Sequence, residues 1–258
     1  MRHCFTRQYV CWLKVMHPDD TQKSTVLVAD SLLGPYRMVR TNLRPLGMSA
    51  GDFDLAVDPV DGKGYYYFER VHSEMICADL TEDYTNVTGY YSTHFPHPHP
   101  PFVREAPAYF RRGPLHYLFT SGTTGYFPNA SEVAVAKTYH GPWTVLGDPH
   151  PDDDSRTSYR SQICSVFNHP HKKDLYIALA DRWLGDRDVD ARKAAGMFET
   201  AFASDHPREH FERYERETPE IFAAPDTSAA GYVWLPVRFD GDMAYFDWHD
   251  EWCIEDYE

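Results

Sequence analysis

An all-β fold built from repeated four-stranded units, of the β-propeller type, is what this sequence predicts. Three repeated features and an aromatic-rich composition point to it. Short strand-like runs open near Tyr9 (YVCWLKV), Tyr65 (YYYFE), Leu115 (LHYLFT) and Leu175 (LYIALA), at steps of 56, 50 and 60 residues. A second series ends alternating apolar runs. Ala29-Asp30-Ser31-Leu32-Leu33-Gly34-Pro35-Tyr36 matches Ala136-Lys137-Thr138-Tyr139-His140-Gly141-Pro142-Trp143 in spacing, and Ala78 to Tyr84 forms a weaker copy between them. A third series opens each unit: Asp52 (DFDLAVD), Glu105 (EAPAYF) and Gln162 (QICSVF), at steps of 53 and 57 residues. Self-similarity at a period near 50, with β-branched and aromatic runs separated by turn residues, is the signature of propeller blades. A β-sandwich with accidental periodicity is the rival.

Each unit reads strand, turn, strand, loop, strand, Gly-Pro turn, strand. Asp61-Gly62-Lys63-Gly64 and Arg112-Gly113-Pro114 supply hairpin turns ahead of two of the second strands. The first unit lacks its opening strand, because its second strand already begins at Tyr9. The last unit is interrupted at 186–221 by segments of helical composition (ARKAAGMFETAF, REHFERYERE), expected to form one or two solvated surface helices. Tyr232 to Val237 and Ala244 to Trp248 supply the final strands. Residues 1–258 read as a single domain.

Composition narrows the function. The 258 residues include 18 Tyr and 6 Trp, and rings of this kind stack on sugar faces as well as filling strands. A formal net charge of −14 repels a phosphate backbone, so nucleic acid is not an expected partner. No stretch is apolar enough to cross a membrane. Cys4, Cys11, Cys77, Cys164 and Cys253 are scattered, odd in number and without CxxC spacing, which reads as buried free thiols in a reducing compartment. The N-terminal residues show no signal-peptide core. As written, the chain is expected in the cytoplasm, unless a secretion signal has been lost with a missing N-terminus.

The chemistry concentrates at the unit openings. In a propeller the first strand of each blade lines the axis, so Asp52, Glu105 and Gln162 are expected to converge on one cavity. Two carboxyl groups and an amide there form an acid–base arrangement, in which one carboxyl keeps its proton because the other is close. The bland alternative is a set of strand-end polar residues. His94-Phe95-Pro96-His97-Pro98-His99-Pro100 invites a metal hypothesis, but no Cys or carboxylate stands beside it at ligand spacing. A rim loop is the preferred reading. With no Gly-rich phosphate loop or nucleophile elbow, no cofactor is expected.

One set of motifs carries a family resemblance. Arg104-Glu105-Ala106-Pro107-Ala108, Tyr117-Leu118, Thr120-Ser121-Gly122-Thr123-Thr124-Gly125-Tyr126 and Pro128-Asn129 resemble the REAPA…YYL..SG.TGW.PN signature of the exo-β-1,3-galactanase branch of glycoside hydrolase family 43. Gly141-Pro142-Trp143, Ser161-Gln162, Asp181-Arg182-Trp183 and Tyr232-Val233-Trp234-Leu235-Pro236 follow in order. Gly51-Asp52-Phe53-Asp54-Leu55 and Ala29-Asp30-Ser31…Gly34-Pro35 match more loosely.

The resemblance implies a five-bladed propeller with the first blade and the start of the second missing. It also implies an inverting, exo-acting glycosidase that releases galactose from β-1,3-galactan or related arabinogalactan side chains. Glu105 resembles the general acid and Gln162 the glutamine at the base position, acting as its imidic tautomer or only orienting water. Asp52 resembles the aspartate that binds the sugar and modulates the acid. Thr123 resembles a hydroxyl contact to the sugar, and Tyr126, in place of the family's usual Trp, a stacking wall or a core aromatic. Asp181 and Arg182 are candidate sugar contacts, more simply a structural ion pair near the axis. Inverting geometry places Gln162 at about 6.5–9.5 Å from Glu105, out of contact with it.

The family also carries a complete first blade and a glutamate in an ERPK-like segment ahead of the strand matching Tyr9-Val10-Cys11-Trp12. This chain shows neither, so its acidic ring is one member short. An open ring would expose strand edges and apolar faces that favour self-association. An arabinofuranosidase or other family 43 specificity is the nearest rival. A non-catalytic, remnant glycan-binding propeller is the rival from another class.

Overall fold

Tyr65-Tyr66-Tyr67-Phe68 shows how the layers stack. All four side chains are buried, yet successive residues of a strand point to opposite faces. Tyr66 and Phe68 join one apolar cluster with Val10, Trp12, Val26, Val28 and Ile76. Tyr65 and Tyr67 join another with Met75, Cys77, Leu118 and Tyr139. A continuous aromatic run therefore marks a strand that has a neighbouring sheet on each side.

The computed structural model describes residues 8–19, 21–185, 187, 189–222 and 226–258. Its strands form four antiparallel sheets. The first is β1 (Tyr9–Met16), β2 (Gln22–Ala29) and β3 (Arg37–Leu43). The second is β4 (Ala50–Val57), β5 (Gly64–Arg70), β6 (Glu74–Leu80) and β7 (Val87–His94). The third is β8 (Arg104–Arg112), β9 (Leu115–Gly122), β10 (Ser131–Ala136) and β11 (Thr144–Gly147). The fourth is β12 (Gln162–Asn168), β13 (Tyr176–Arg182), β14 (Gly231–Asp240) and β15 (Met243–Phe246). Within each sheet, strands pair in chain order, as expected for blades of a propeller. Gly62 and Gly113 adopt positive φ (74° and 57°) in the hairpins ahead of β5 and β9, a conformation that glycine reaches without a Cβ clash.

Three apolar clusters fill the three interfaces between successive sheets. The one between the third and fourth sheets is built on Phe110, Tyr117, Phe119, Val166, Leu235 and Phe246. β8 lies between β4 and β12, so the inner strands run side by side. Tyr109 N–H donates to Asp54 Oδ2 at 2.7 Å and ties β8 to β4.

Of the five blades the resemblance implies, the described residues form four, and a fifth is not among them. They make four sheets, the first with three strands and, as expected, without an inner one. Leu13 and Val15 on the first sheet are exposed, as are Phe167, Tyr232 and Trp234 on the fourth. They alternate with residues packed into the clusters, so they occupy the opposite sheet faces.

The interruption between β13 and β14 holds α1 (Ala191–Phe202), α2 (Pro207–Glu217) and the single turn α3 (Pro219–Phe222); Asp186 and Asp188 of the expected span lie outside the described residues. Asp190 caps α1 by accepting the Lys193 N–H at 3.0 Å. The helices are more than a solvated face. Phe198, Phe202, Phe211, Tyr214 and Phe222 form an aromatic seam, and Phe127 from the Thr123–Asn129 loop meets Phe222 at 5.0 Å and Phe198 at 6.0 Å between ring centroids. The insertion thus braces the loop that carries Tyr126. The reading of the cysteines as buried thiols holds for Cys77 only. Cys11 is partly buried, Cys164 and Cys253 are exposed, and Cys4 lies outside the described residues.

Candidate functional site

The three inner strands share one irregularity. Pairing shifts by a residue between Ala50 and Phe53 in β4, between Glu105 and Ala108 in β8, and between Ile163 and Ser165 in β12. A β-bulge re-aims the side chains beside it. In β8 the cause is local: Pro107 has no N–H for the ladder, and Ala106 sits at φ 47°. Sequence places Asp52, Glu105 and Gln162 at these bulges, and the fold brings them together.

Gln162 Nε2 donates to Glu105 Oε1 at 3.2 Å and to Ser121 Oγ at 2.8 Å. This overturns the expected gap between Glu105 and Gln162. The inner strands of adjacent blades approach closely enough for the two side chains to touch. Lys14, reaching across from β1, forms an ion pair with Asp52. Glu69, at the end of β5 and 3% exposed, accepts the His72 N–H at 2.7 Å. Its carboxyl lies against Gly51, where a Cβ would stand 2.2 Å from Glu69 Oε2. Glycine next to Asp52 therefore makes room for a second acid.

Charge accumulates accordingly. Burial, followed by the charges of Asp52 and Glu69, lifts the Glu105 carboxyl well above the usual carboxylate range, against the opposing pull of Lys14 and the Gln162 hydrogen bond. Burial, with Asp52 adding to it, pushes Glu69 up to about 7 despite the His72 N–H. For Lys14, burial works to lower the pKa, but Asp52, Glu105 and Glu69 outweigh it and hold the ammonium above its usual value. The cluster is thus a Glu105 carboxyl biased toward its protonated form beside a lysine–aspartate ion pair, an arrangement suited to proton donation.

A pocket lies beside this cluster, lined by Ser121, Gln162, Asp181, Tyr126, Trp183 and Asn129, among others. Tyr126 is 49% exposed and meets Trp183 at 5.4 Å between ring centroids, so the two rings form an aromatic corner. Asp181 is the cross-strand partner of Gln162. Burial first, with Asp52 adding to it, raises its carboxyl above the usual value, while a hydrogen bond from Cys164 opposes the rise.

The other singled-out residues are placed differently from one another. Thr123 is 6% exposed and donates to the Val103 carbonyl at 2.9 Å, so its proton is committed to the backbone. Among the described residues Asp181 and Arg182 form no ion pair, since neighbours on a strand face opposite ways. Arg182 instead donates to the Tyr159 carbonyl at 2.7 Å and lies over the Trp248 ring, lining a separate cleft with Asp153 and Arg160. The histidine segment divides between two places. His94 bonds Ser92, which bonds His140 (2.8 and 2.7 Å), and His140 meets Asp79 at 2.8 Å. His97 lines a neighbouring cleft with Phe102 and Arg104, and Asn129 borders both that cleft and the pocket.

Sequence reasoning missed Lys14, Glu69, Ser121 and Trp183. Each lies inside a motif read for its strand or its family match: YVCWLKV, YYYFE, the SGTTG loop and DRW. A charged residue ending an otherwise buried aromatic strand was the available signal for Glu69.

Comparison with known proteins agrees with this architecture. The family model described as "Glycosyl hydrolases family 43" matches residues 3–191. No curated protein sequence matches the chain. Among solved structures, a family 43 β-1,3-galactosidase superposes with TM-score 0.71 at 23% identity, over 100% of this chain and 46% of its own. An exo-β-1,3-galactanase from Phanerochaete chrysosporium, solved with β-1,3-galactotriose, gives 0.70 at 18%, over 96% and 47%. One from Clostridium thermocellum gives 0.67 at 22%, over 96% and 47%. The chain thus spans about half the length of these structures.

Proposed function

Since the chain belongs to glycosyl hydrolases family 43, we propose that it is an inverting, exo-acting glycoside hydrolase that releases galactose from β-1,3-galactan or related arabinogalactan side chains. The observation that carries the reading is Glu105, a partly buried acid whose pKa is raised by burial and by Asp52, and hydrogen-bonded to an amide that lines an aromatic-walled pocket. Glycoside hydrolysis needs a proton for the departing oxygen and an activated water on the opposite face of the sugar. Glu105 supplies the proton. Asp52, held by Lys14, tunes that acid and accepts from a sugar hydroxyl. Tyr126 and Trp183 present ring faces to the sugar.

Incubation with β-1,3-galactobiose and longer β-1,3-galacto-oligosaccharides is expected to release galactose, with the α-anomer appearing first by proton NMR. Release of arabinose alone from a panel of nitrophenyl glycosides would assign the rival specificity. Sugar binding without any release would make the chain a glycan-binding propeller.

The same reading takes the four sheets as part of a five-bladed ring, in which a further blade would cover Leu13 and Val15 on one side and Phe167, Tyr232 and Trp234 on the other. These exposed apolar faces support it. The isolated 258-residue chain is expected to self-associate in light-scattering measurements. A clean monomer with a single cooperative melt would mean that the open side needs no cover.

A further inference from the structure

We propose that Ser92, His140 and Asp79 form a second catalytic centre, a nucleophile–base–carboxylate array that hydrolyses small acyl esters. It stands apart from the acid cluster on the inner strands. Ser92 lies on β7, the outermost strand of its sheet and three strands out from β4, which carries Asp52.

Packing between the second and third sheets assembles the array. Asp79 comes from β6, Ser92 from β7 beside it, and His140 from the turn after β10. Asp79 is 6% exposed, and Lys63 Nζ holds its Oδ2 at 2.6 Å. Its Oδ1 meets His140 Nε2 at 2.8 Å, and His140 Nδ1 meets Ser92 Oγ at 2.7 Å. A carboxylate only accepts, so Nε2 carries the ring proton. In the neutral ring Nδ1 is then an acceptor, and the Ser92 hydroxyl donates to it. A hydroxyl on an imidazole, with the imidazole oriented by a buried carboxylate, is the order of roles that activates a serine.

His94 completes the surroundings. Its Nε2 lies 2.8 Å from Ser92 Oγ. Burial first, and then the charge of His140, push its pKa down to about 4, which keeps the ring neutral. With the serine proton directed at His140, the His94 Nε2–H donates to the same oxygen. The backbone adds a second donor. β7 pairs on one side only, so every second N–H along it faces the open edge. One of Ser92 and Thr93 therefore turns an N–H outside the ladder, beside the hydroxyl. These two groups are the donors for the oxygen that becomes negative during acyl transfer.

Substrate can reach the array. Ser92 is half-buried, and the His140 side chain is 19% exposed. Tyr90 lies two residues from Ser92 on the same strand face, is 63% exposed, and has its ring 4.9 Å from His140. An open aromatic shelf suits a small acyl group, acetyl in size, on an uncharged ring-shaped alcohol.

In the step, Ser92 Oγ bonds to the ester carbonyl carbon while its proton passes to His140 Nδ1. The carbonyl π pair moves onto its oxygen. As that pair returns, the bond to the alcohol oxygen breaks, and the alcohol leaves with the His140 proton. Water then attacks the acyl-serine by the same route, which releases the carboxylic acid and restores Ser92. Water is the co-reactant.

The test incubates the full 258-residue chain with p-nitrophenyl acetate and, separately, with a fluorophosphonate probe followed by peptide mapping. The probe should add a single phosphonyl group, on Ser92. Ser92→Ala should lose the adduct and the esterolysis, and His140→Gln should slow esterolysis by about 10²–10⁴-fold. Ser92→Cys keeps the array filled if alanine loosens the fold. Its thiol, set against His140, should react with iodoacetamide about tenfold faster than the exposed Cys253. Esterolysis unchanged in Ser92→Ala, a probe adduct elsewhere but not on Ser92, or a Ser92→Cys thiol no faster than Cys253 would overturn the assignment and leave the array a structural hydrogen-bond chain. None of these readouts uses a glycoside, so the outcome is separate from that of the glycosidase reading.

Discussion

Glu105→Gln is expected to reduce hydrolysis of unactivated β-1,3-galactosides by about 10²–10⁴-fold, the usual worth of general acid catalysis. Glutamine keeps the shape and still offers an oxygen to the Gln162 amide, so sugar binding should persist. What it lacks is a proton for the leaving oxygen. An aryl galactoside with an acidic phenol needs little protonation and should lose far less, and that contrast separates a lost acid from a damaged site. The pH profile carries the same assignment. Glu105 works protonated, and burial together with Asp52 and Glu69 holds its pKa well above the ordinary carboxylate range. The rate should therefore hold through neutral pH and fall as pH rises past that elevated value. Steady-state rates across pH are the measurement. Unchanged turnover in Glu105→Gln would remove Glu105 from the mechanism.

Phe119→Ala is expected to cost about 3–5 kcal/mol of folding stability, the range for truncating a large buried aromatic. Phe119 is fully buried, with its ring 4.9 Å from Phe246 and 5.6 Å from Phe110, in the cluster that joins the third and fourth sheets. That interface aligns β8 with β12, so the Glu105–Gln162 contact should weaken with it. Leu33→Ala is the control. Leu33 is 94% exposed, and changes at such sites usually stay within about 0.5 kcal/mol. Urea denaturation of both variants decides the matter, and equal midpoints would mean that the inter-sheet cluster does not hold the blades together.

Sequence alone determined the period, the strand order within each unit and the three opening residues. These are local properties. Alternating apolar residues, glycine turns and repeated spacing are written along the chain, and a strand's pairing within its hairpin follows from them. The family motifs pointed to Glu105 because its segment, Arg104 to Ala108, is contiguous. The tertiary structure decided everything that depends on distances between blades. The Gln162–Glu105 contact joins residues 57 apart, and the Lys14–Asp52 ion pair joins residues 38 apart. No pattern along the chain encodes how closely two inner strands approach. Thr123 and Arg182 sit in the expected motifs, yet strand alternation and a backbone acceptor turn them away from the pocket. The helical insertion looked like a solvated run, because an aromatic seam of Phe198, Phe211 and Phe222 has meaning only once Phe127 packs against it. Local propensity specifies the blades, and the packing between them places the acids.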